Sequence, residues 1–190
     1  VDLPEVGDGE ILCRVIYQSL DPYMRGRMDD GKSYAAPVPI GGVMEAGTVA
    51  EVVESNNARF KVGDIVNSRL GWQTHAISDG AGVRVVDPAL APISTAIGVL
   101  GMPGMTAYVG LLDIGEPKEG ETVVVSAASG AVGSVVGQIA KIRGCRVVGV
   151  AGAKEKCDFV VDELGFDACV SHYSDTLDAD LAAQCPDGID

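Results

Sequence analysis

A run of small residues is the first place where chemistry can be read. In Thr122-Val-Val-Val-Ser-Ala-Ala-Ser-Gly-Ala-Val-Gly-Ser134, the β-branched Thr122, Val123, Val124 and Val125 lead into Ala128, Gly130 and Gly133. Those three small residues fall at the spacing of a phosphate-binding turn, with alanine where the first glycine would stand. Small side chains let the backbone approach a pyrophosphate. A helix starting near Ala131 would aim its free amides and positive dipole end at that phosphate. Gly130, Ala131, Val132 and Gly133 are therefore the candidate phosphate contacts. Similar turns also join ordinary strands to helices, so the flanking chain must decide the reading.

The elements that would position this turn are legible on both sides. Val135, Val136, Ile139, Ala140 and Ile142 form an apolar helix face, Gly144 stops that helix, and residues 146–151 read as a second apolar strand. Strand, turn, helix and strand within about thirty residues make one βαβ unit. Strand and helix go on alternating over 121–127, 131–143, 146–151, 154–164, 168–171 and 175–184, a parallel α/β pattern.

Upstream the pattern differs. Ile11, Cys13, Val15 and Tyr17 alternate with more polar neighbours, as in a half-buried strand. Pro22 is placed to start a turn or short helix, and 29–39 is a polar loop. Residues 43–54 read as a long strand bent at Gly47, with short strands at 65–68, 72–77 and 83–86. This stretch predicts a small barrel or sandwich. Past a linker at 88–92, short helices are expected over 93–100 and 106–112, broken by Gly101-Met-Pro-Gly104. The division expected is 1–92 and 93–190.

Composition narrows the function. The chain has 190 residues, 47% of them hydrophobic, enough for a substantial core. A net charge of −13 argues against nucleic-acid binding, which needs a basic surface. No apolar run approaches the roughly eighteen residues of a membrane span. Cys13, Cys145, Cys157, Cys169 and Cys185 show no metal-type or redox-type spacing and read as reduced, buried thiols of a cytoplasmic protein. The start at Val1 and the stop after Pro186-Asp-Gly-Ile-Asp190 suggest a chain cut at both ends.

Three motifs carry a resemblance: Leu20-Asp-Pro-Tyr-Met-Arg-Gly26, Gly101-Met-Pro-Gly-Met-Thr-Ala-Tyr108 and Ala127-Ala-Ser-Gly-Ala-Val-Gly-Ser-Val-Val-Gly-Gln-Ile-Ala-Lys141. Together they resemble the zinc-independent branch of the medium-chain dehydrogenase/reductase superfamily that holds prostaglandin reductases, alkenal double-bond reductases and curcumin reductases. The resemblance implies a GroES-like β-rich barrel domain followed by the first half of a Rossmann doubly wound parallel sheet. It also implies NADPH-dependent reduction of the C=C bond of α,β-unsaturated ketones or aldehydes, by hydride transfer to the β-carbon. The partner expected is a small enone or alkenal, with a homodimer as a further possibility. The main enolate-side residue is expected in a C-terminal part beyond Asp190, so no catalytic residue is assigned here.

Zinc branches of the superfamily carry a cysteine in the first loop and Gly-His-Glu before the next long strand. Here Asp21-Pro22-Tyr23 and Gly42-Val43-Met44 stand in those places, and no metal is expected.

The second strand distinguishes two cofactors. It ends Val150-Ala151-Gly152-Ala153, without the carboxylate that grips an NAD ribose. Lys154 and Lys156 follow. They are the only two bases against ten acidic residues from Lys154 to Asp190, and cations at a helix start oppose its dipole. A 2′-phosphate explains both facts. In the family, the lysine matching Lys156 contacts that phosphate, and Ala153 replaces the usual serine. The alternative is a salt bridge within the helix, with Lys154 the better bystander.

The resemblance supplies further candidates. His172 matches a tyrosine that packs on the adenosine end, with Tyr173 next to it; strand alternation lets only one face the cofactor. Met102 and Thr106 match the nicotinamide side, where a helix cap is the competing role for Thr106. Tyr23 matches a substrate-lining position, against a structural tyrosine. Arg25 and Arg27 read as surface or loop-anchoring, Tyr34 as a weaker pocket candidate, and Trp72 and His75 as structural. The rival functions are a quinone reductase of the same superfamily, a non-enzymatic nucleotide-binding module, and a methyltransferase. The last typically needs an acidic residue where Gly152 stands.

Overall fold

Residues 3–190 are described by a computed structural model, and their contacts separate a unit ending at Ile97 from one beginning at Gly98. In the first unit, β1 (Ile11–Gln18), β2 (Thr48–Ser55), β3 (Ile65–Ser68), β4 (His75–Ser78) and β5 (Arg84–Val85) form an antiparallel sheet in the order β4-β1-β2-β3-β5. Ile11, Cys13, Ala50, Val52, Phe60 and Val66 build its core.

The alternation expected along β1 holds only in part. Leu12 is buried beside Ile11 and Cys13, while Tyr17 is 46% exposed. The register against β2 shifts between Leu12 and Cys13 and again between Val15 and Tyr17. Each irregularity resets which face a side chain occupies.

The strand expected over 43–54 begins only at Thr48. Gly47 is held by Ser19 instead: its carbonyl accepts from the Ser19 amide (2.8 Å) and its amide donates to Ser19 Oγ (3.1 Å). The Met44 carbonyl accepts from the Trp72 amide at 2.9 Å. These polar groups are therefore satisfied outside a regular ladder. A short helix α1 (Tyr23–Gly26) starts after Pro22, as the sequence predicts. In place of a helix over 93–100 there is a 3₁₀ turn, Ile93–Ile97.

In the second unit, α2 (Met102–Tyr108) runs on into a π-helical stretch, Val109–Gly115. The expected break at residues 101–104 is instead the start of α2. Pro103 lies in the first turn, where a missing N–H costs nothing. Gly104 passes so close to the chain that an added Cβ would lie 1.7 Å from the Val99 carbonyl oxygen.

Then β6 (Thr122–Ser126), α3 (Gly133–Ile142), β7 (Arg146–Ala151), α4 (Lys154–Asp162), β8 (Ala168–Ser171) and α5 (Leu177–Gln184) alternate, with a parallel sheet in the order β6-β7-β8. Val125, Ala128, Ala140, Val147, Val160 and Phe166 form its core. The amide of buried Val147 donates to Asp167 Oδ2 at 2.6 Å, and Lys141 Nζ binds both oxygens of that carboxylate at 2.8 and 2.9 Å. Among the described residues, no helix is long and apolar enough to cross a membrane.

Candidate functional site

The turn after β6 is built around one strained residue. Ala127 adopts φ +50°, a left-handed conformation that costs a non-glycine residue about 1–2 kcal/mol. The twist turns its carbonyl into the loop, where it accepts from the Gly130 amide at 2.8 Å. A Cβ at Gly130 would lie 3.0 Å from that oxygen, and one at Gly133 only 2.4 Å. The close approach of the Ala127 carbonyl thus requires a glycine at 133 and leaves little room for a side chain at 130. Ala128 is fully buried, and its amide donates to the Val150 carbonyl at 3.1 Å, tying the turn to the end of β7.

α3 then begins without a side-chain cap. The amides of Ala131, Val132 and Gly133 make no backbone hydrogen bond among the described residues. Free amides at the positive end of a ten-residue helix form a surface suited to an anion.

Three strand ends meet at this edge. The His172 amide donates to the Ala151 carbonyl at 2.8 Å, and Ser171 Oγ donates to the Gly152 carbonyl at 2.7 Å. The His172 and Tyr173 rings lie 4.1 Å apart with a 59° tilt. Both close over Gly152: a Cβ there would lie 3.3 Å from Tyr173 Cε2 and 3.5 Å from His172 Cε1.

The expectation that only one ring could face this side assumed strand alternation. β8 ends at Ser171, so both rings belong to the turn beyond it and escape that rule. Ser171, whose hydroxyl ties this turn to the end of β7, was not singled out from the sequence. A serine closing a strand before a turn is the signal that could have found it.

α4 also starts uncapped, at Ala153. The two lysines on its first turn separate clearly. Lys154 Nζ lies 2.6 Å from Asp158 Oδ2, and that hydrogen bond holds the ammonium pKa above its ordinary value. Lys156 is exposed and forms no ion pair among the described residues. A cation beside an uncapped helix start, with no carboxylate on Gly152, fits a phosphate monoester. One charge-assisted hydrogen bond of this kind is worth about 1.5–3 kcal/mol.

α2 packs on α3. Thr106 lies inside α2 and does not cap it: its hydroxyl donates to the Met102 carbonyl at 2.8 Å. The lone pairs of Thr106 Oγ1 remain able to accept from an amide. Met102 is 52% exposed.

In the first unit, Tyr23 is half-buried on α1 and packs with Val38 on a small cluster of Met24, Met44 and Ala46. An apolar hollow of about 290 Å³ adjoins α1, lined by Leu20, Asp21, Pro22, Met24, Met28 and Trp72, among others. Tyr23 is not on its wall, whereas Trp72, which the sequence marked as structural, is. A larger cleft of about 520 Å³ beside Glu10, Arg69 and Asp79 contains none of the residues singled out from the sequence. The two loops compared with zinc ligands hold Asp21, whose carboxylate accepts from Ser19 Oγ at 2.7 Å, and the buried thioether of Met44. Among the described residues, no group of three or more His, Cys, Asp or Glu side chains is arranged to hold a metal ion.

Comparison with known proteins places this geometry in a family. A family model described as the N-terminal domain of oxidoreductase matches residues 1–86, and one described as zinc-binding dehydrogenase matches 131–190. The chain is 56% identical over 190 residues to the NADPH-dependent curcumin reductase of Escherichia coli K12, covering 100% of this chain and 55% of that protein. It is 47% identical over 193 residues to prostaglandin reductase 1 of Rattus norvegicus, covering 100% of this chain and 56% of that one.

The crystal structure of CurA from Vibrio vulnificus in complex with NADPH superposes with a TM-score of 0.95 at 55% identity, covering 100% of this chain and 56% of that structure. The chain therefore spans about half the length of the relatives it matches. With its GroES-like antiparallel unit and its Rossmann-type parallel unit, the chain belongs to the curcumin-, prostaglandin- and alkenal-reductase branch of the medium-chain dehydrogenase/reductase superfamily.

Proposed function

We propose that the protein containing this chain is an NADPH-dependent oxidoreductase that reduces the C=C bond of α,β-unsaturated ketones or aldehydes without a metal. The observation that carries the cofactor choice is the edge where Gly152 has no carboxylate and Lys156 has no ion pair among the described residues. The reaction class is supported by identity to curcumin and prostaglandin reductases along the whole chain.

In this reading, residues 93–190 hold the cofactor and residues 1–92 hold the substrate. The free amides of Ala131, Val132 and Gly133 take the pyrophosphate, and Gly130, whose own amide is held by the Ala127 carbonyl, lets the backbone approach it. Lys156 takes the 2′-phosphate, and His172 with Tyr173 takes the adenosine end. Met102 and Thr106 take the nicotinamide side, with Thr106 Oγ1 accepting from the carboxamide.

Bound NADPH supplies the hydride that reaches the substrate β-carbon. The α-carbon then takes a proton, which water can deliver, so the chain needs no general acid of its own. Tyr23 offers an apolar ring and a polar tip to the substrate. We further propose a cytoplasmic protein that works as a homodimer.

The test is NADPH consumption by the complete protein in the presence of an enone, with and without a chelator. Turnover that survives chelation supports the proposal, and turnover abolished by it refutes the metal-free reading. Lys156→Ala tests the cofactor assignment. It is expected to weaken NADPH binding about tenfold or more and leave NADH binding unchanged, the scale of one charge-assisted contact. Equal effects on both cofactors would refute the role of Lys156.

A further inference from the structure

The geometry points to Arg27 as a positioning residue that holds residues 28–45 beside Tyr23 and so sets which substrates the first unit accepts. This rests on the proposed function, in which Tyr23 faces the substrate.

The neighbouring Arg25 shows what a surface arginine looks like here. Its side chain is 70% exposed and pairs with Asp29 one turn away. Arg27 differs, with a side chain only 14% exposed. It stands at the C-terminal end of α1 and reaches across the segment that follows. Nη1 donates to the Ala36 carbonyl at 2.6 Å, and Nη2 donates to Glu45 Oε2 at 2.9 Å. The Tyr34 ring lies 5.9 Å from Cζ, within cation–π reach. The Arg27 carbonyl accepts from the Val38 amide at 2.8 Å.

One residue therefore touches four points of a segment that has no helix or strand of its own. The fork geometry matters. A guanidinium can donate to a carbonyl and a carboxylate at once, which a single ammonium cannot reproduce in a fixed plane. The arrangement is also held against a cost, because Arg27 Nε is buried with no hydrogen-bond partner among the described residues.

The consequence reaches the substrate side through Val38. Val38 packs on the Met24, Met44 and Ala46 cluster that also carries Tyr23. Fixing the Val38 amide and the Ala36 carbonyl keeps this side of the Tyr23 cluster closed. Tyr34, 84% exposed, is presented by the same clamp. Loosening the clamp would widen the Tyr23 region, and each of its four contacts lies within the first unit.

The test compares wild type, Arg27→Ala and Arg27→Lys in the complete protein. Steady-state kinetics use a compact enone and a bulky one with aromatic ends, alongside NADPH titration. Hydrogen exchange is followed at the Val38 amide. For Arg27→Ala the expected result is a KM for the bulky enone changed about tenfold, a kcat within about twofold, and an unchanged NADPH Kd. Exchange at Val38 should accelerate. Arg27→Lys should fall between the two, and it carries the measurement if Arg27→Ala does not fold.

Unchanged KM for both enones in an active enzyme overturns the proposal, as does a parallel loss of kcat and NADPH affinity. Absence of enone reduction in the wild type would instead refute the proposed function. In that case Val38 exchange decides the clamp alone: acceleration in the variants supports it, and unchanged exchange overturns it.

Discussion

Gly137→Ala inverts the usual rule for helices. In an exposed helix interior, alanine is about 0.8–1 kcal/mol better than glycine. Gly137 instead lies in the middle of α3 with the Phe166 ring pressed on its Cα. An added Cβ would stand 1.8 Å from Phe166 Cζ, 2.2 Å from Cε1 and 2.5 Å from Cε2, whereas ordinary contact begins at 3.4 Å. Ring and helix would have to part by roughly 1.5 Å. Phe166 cannot yield easily. It is 3% exposed, packs with Val147 and Val160, and its amide is bonded to the Val160 carbonyl at 3.2 Å.

Overpacking of this kind costs about 1–3 kcal/mol, and a buried ring places the cost at the upper end. After the helix-propensity gain, a net loss of about 1–2 kcal/mol is expected. Urea unfolding should show a lower midpoint at unchanged slope. Phe166→Leu in the Gly137→Ala background should restore part of the loss, with a coupling of about 1 kcal/mol or more. Because the amides proposed to take the pyrophosphate stand at the start of α3, NADPH affinity should fall with stability. A Gly137→Ala protein as stable as wild type would refute the packing argument.

Two further outcomes follow from the same unit. Burial pushes the Asp167 carboxyl pKa up, but hydrogen bonds from Lys141 and the Val147 amide, with the charges of Lys141 and Arg146, hold it below the ordinary value. A depressed carboxylate pKa stabilises the fold above the unfolded value, near pH 4, and that contribution is lost as the pH falls through the folded value. Asp167→Ala should therefore cost about 1–3 kcal/mol at pH 7, because the buried Val147 amide loses its acceptor. Asp167→Asn keeps an acceptor and should cost less, and its deficit should shrink in urea melts at pH 3. At the other end of β7, Gly152→Asp should weaken NADPH binding, since a carboxylate there would repel the proposed 2′-phosphate, while its Cβ would meet Tyr173 Cε2 at a tight 3.3 Å and His172 Cε1 at an ordinary 3.5 Å. Unchanged NADPH affinity of Gly152→Asp in fluorescence titrations would contradict this.

The parts of the fold legible in the sequence were those set by local signals. Ile65–Ser68, Arg146–Ala151 and Ala168–Ser171 coincide with the expected strands, because apolar runs there are bounded by clear turn residues. The small-residue turn after β6 and the two lysines at the start of α4 were legible from residue types and spacing. What escaped the sequence depends on contacts between distant residues. The start of α2 hinges on Gly104 meeting Val99, the late start of β2 on Ser19 holding Gly47, and the outward turn of Tyr17 on irregular register with β2. The pairing of His172 and Tyr173 over Gly152 needed the end of β8 to be known. The separation of Lys154 from Lys156 was legible in the sequence, and the Lys154–Asp158 ion pair agrees with it. Arg27 was legible as loop-anchoring, but its four contacts belong to a segment with no periodicity to read.

The most direct measurement of the central claim follows the hydride itself. The complete protein would be incubated with an enone and NADPH carrying deuterium at C4, and the product examined by NMR. The expected product is a saturated ketone with deuterium on the former β-carbon and a solvent proton on the α-carbon. Deuterium on the carbonyl carbon of an allylic alcohol would contradict it, as would equal turnover with NADH.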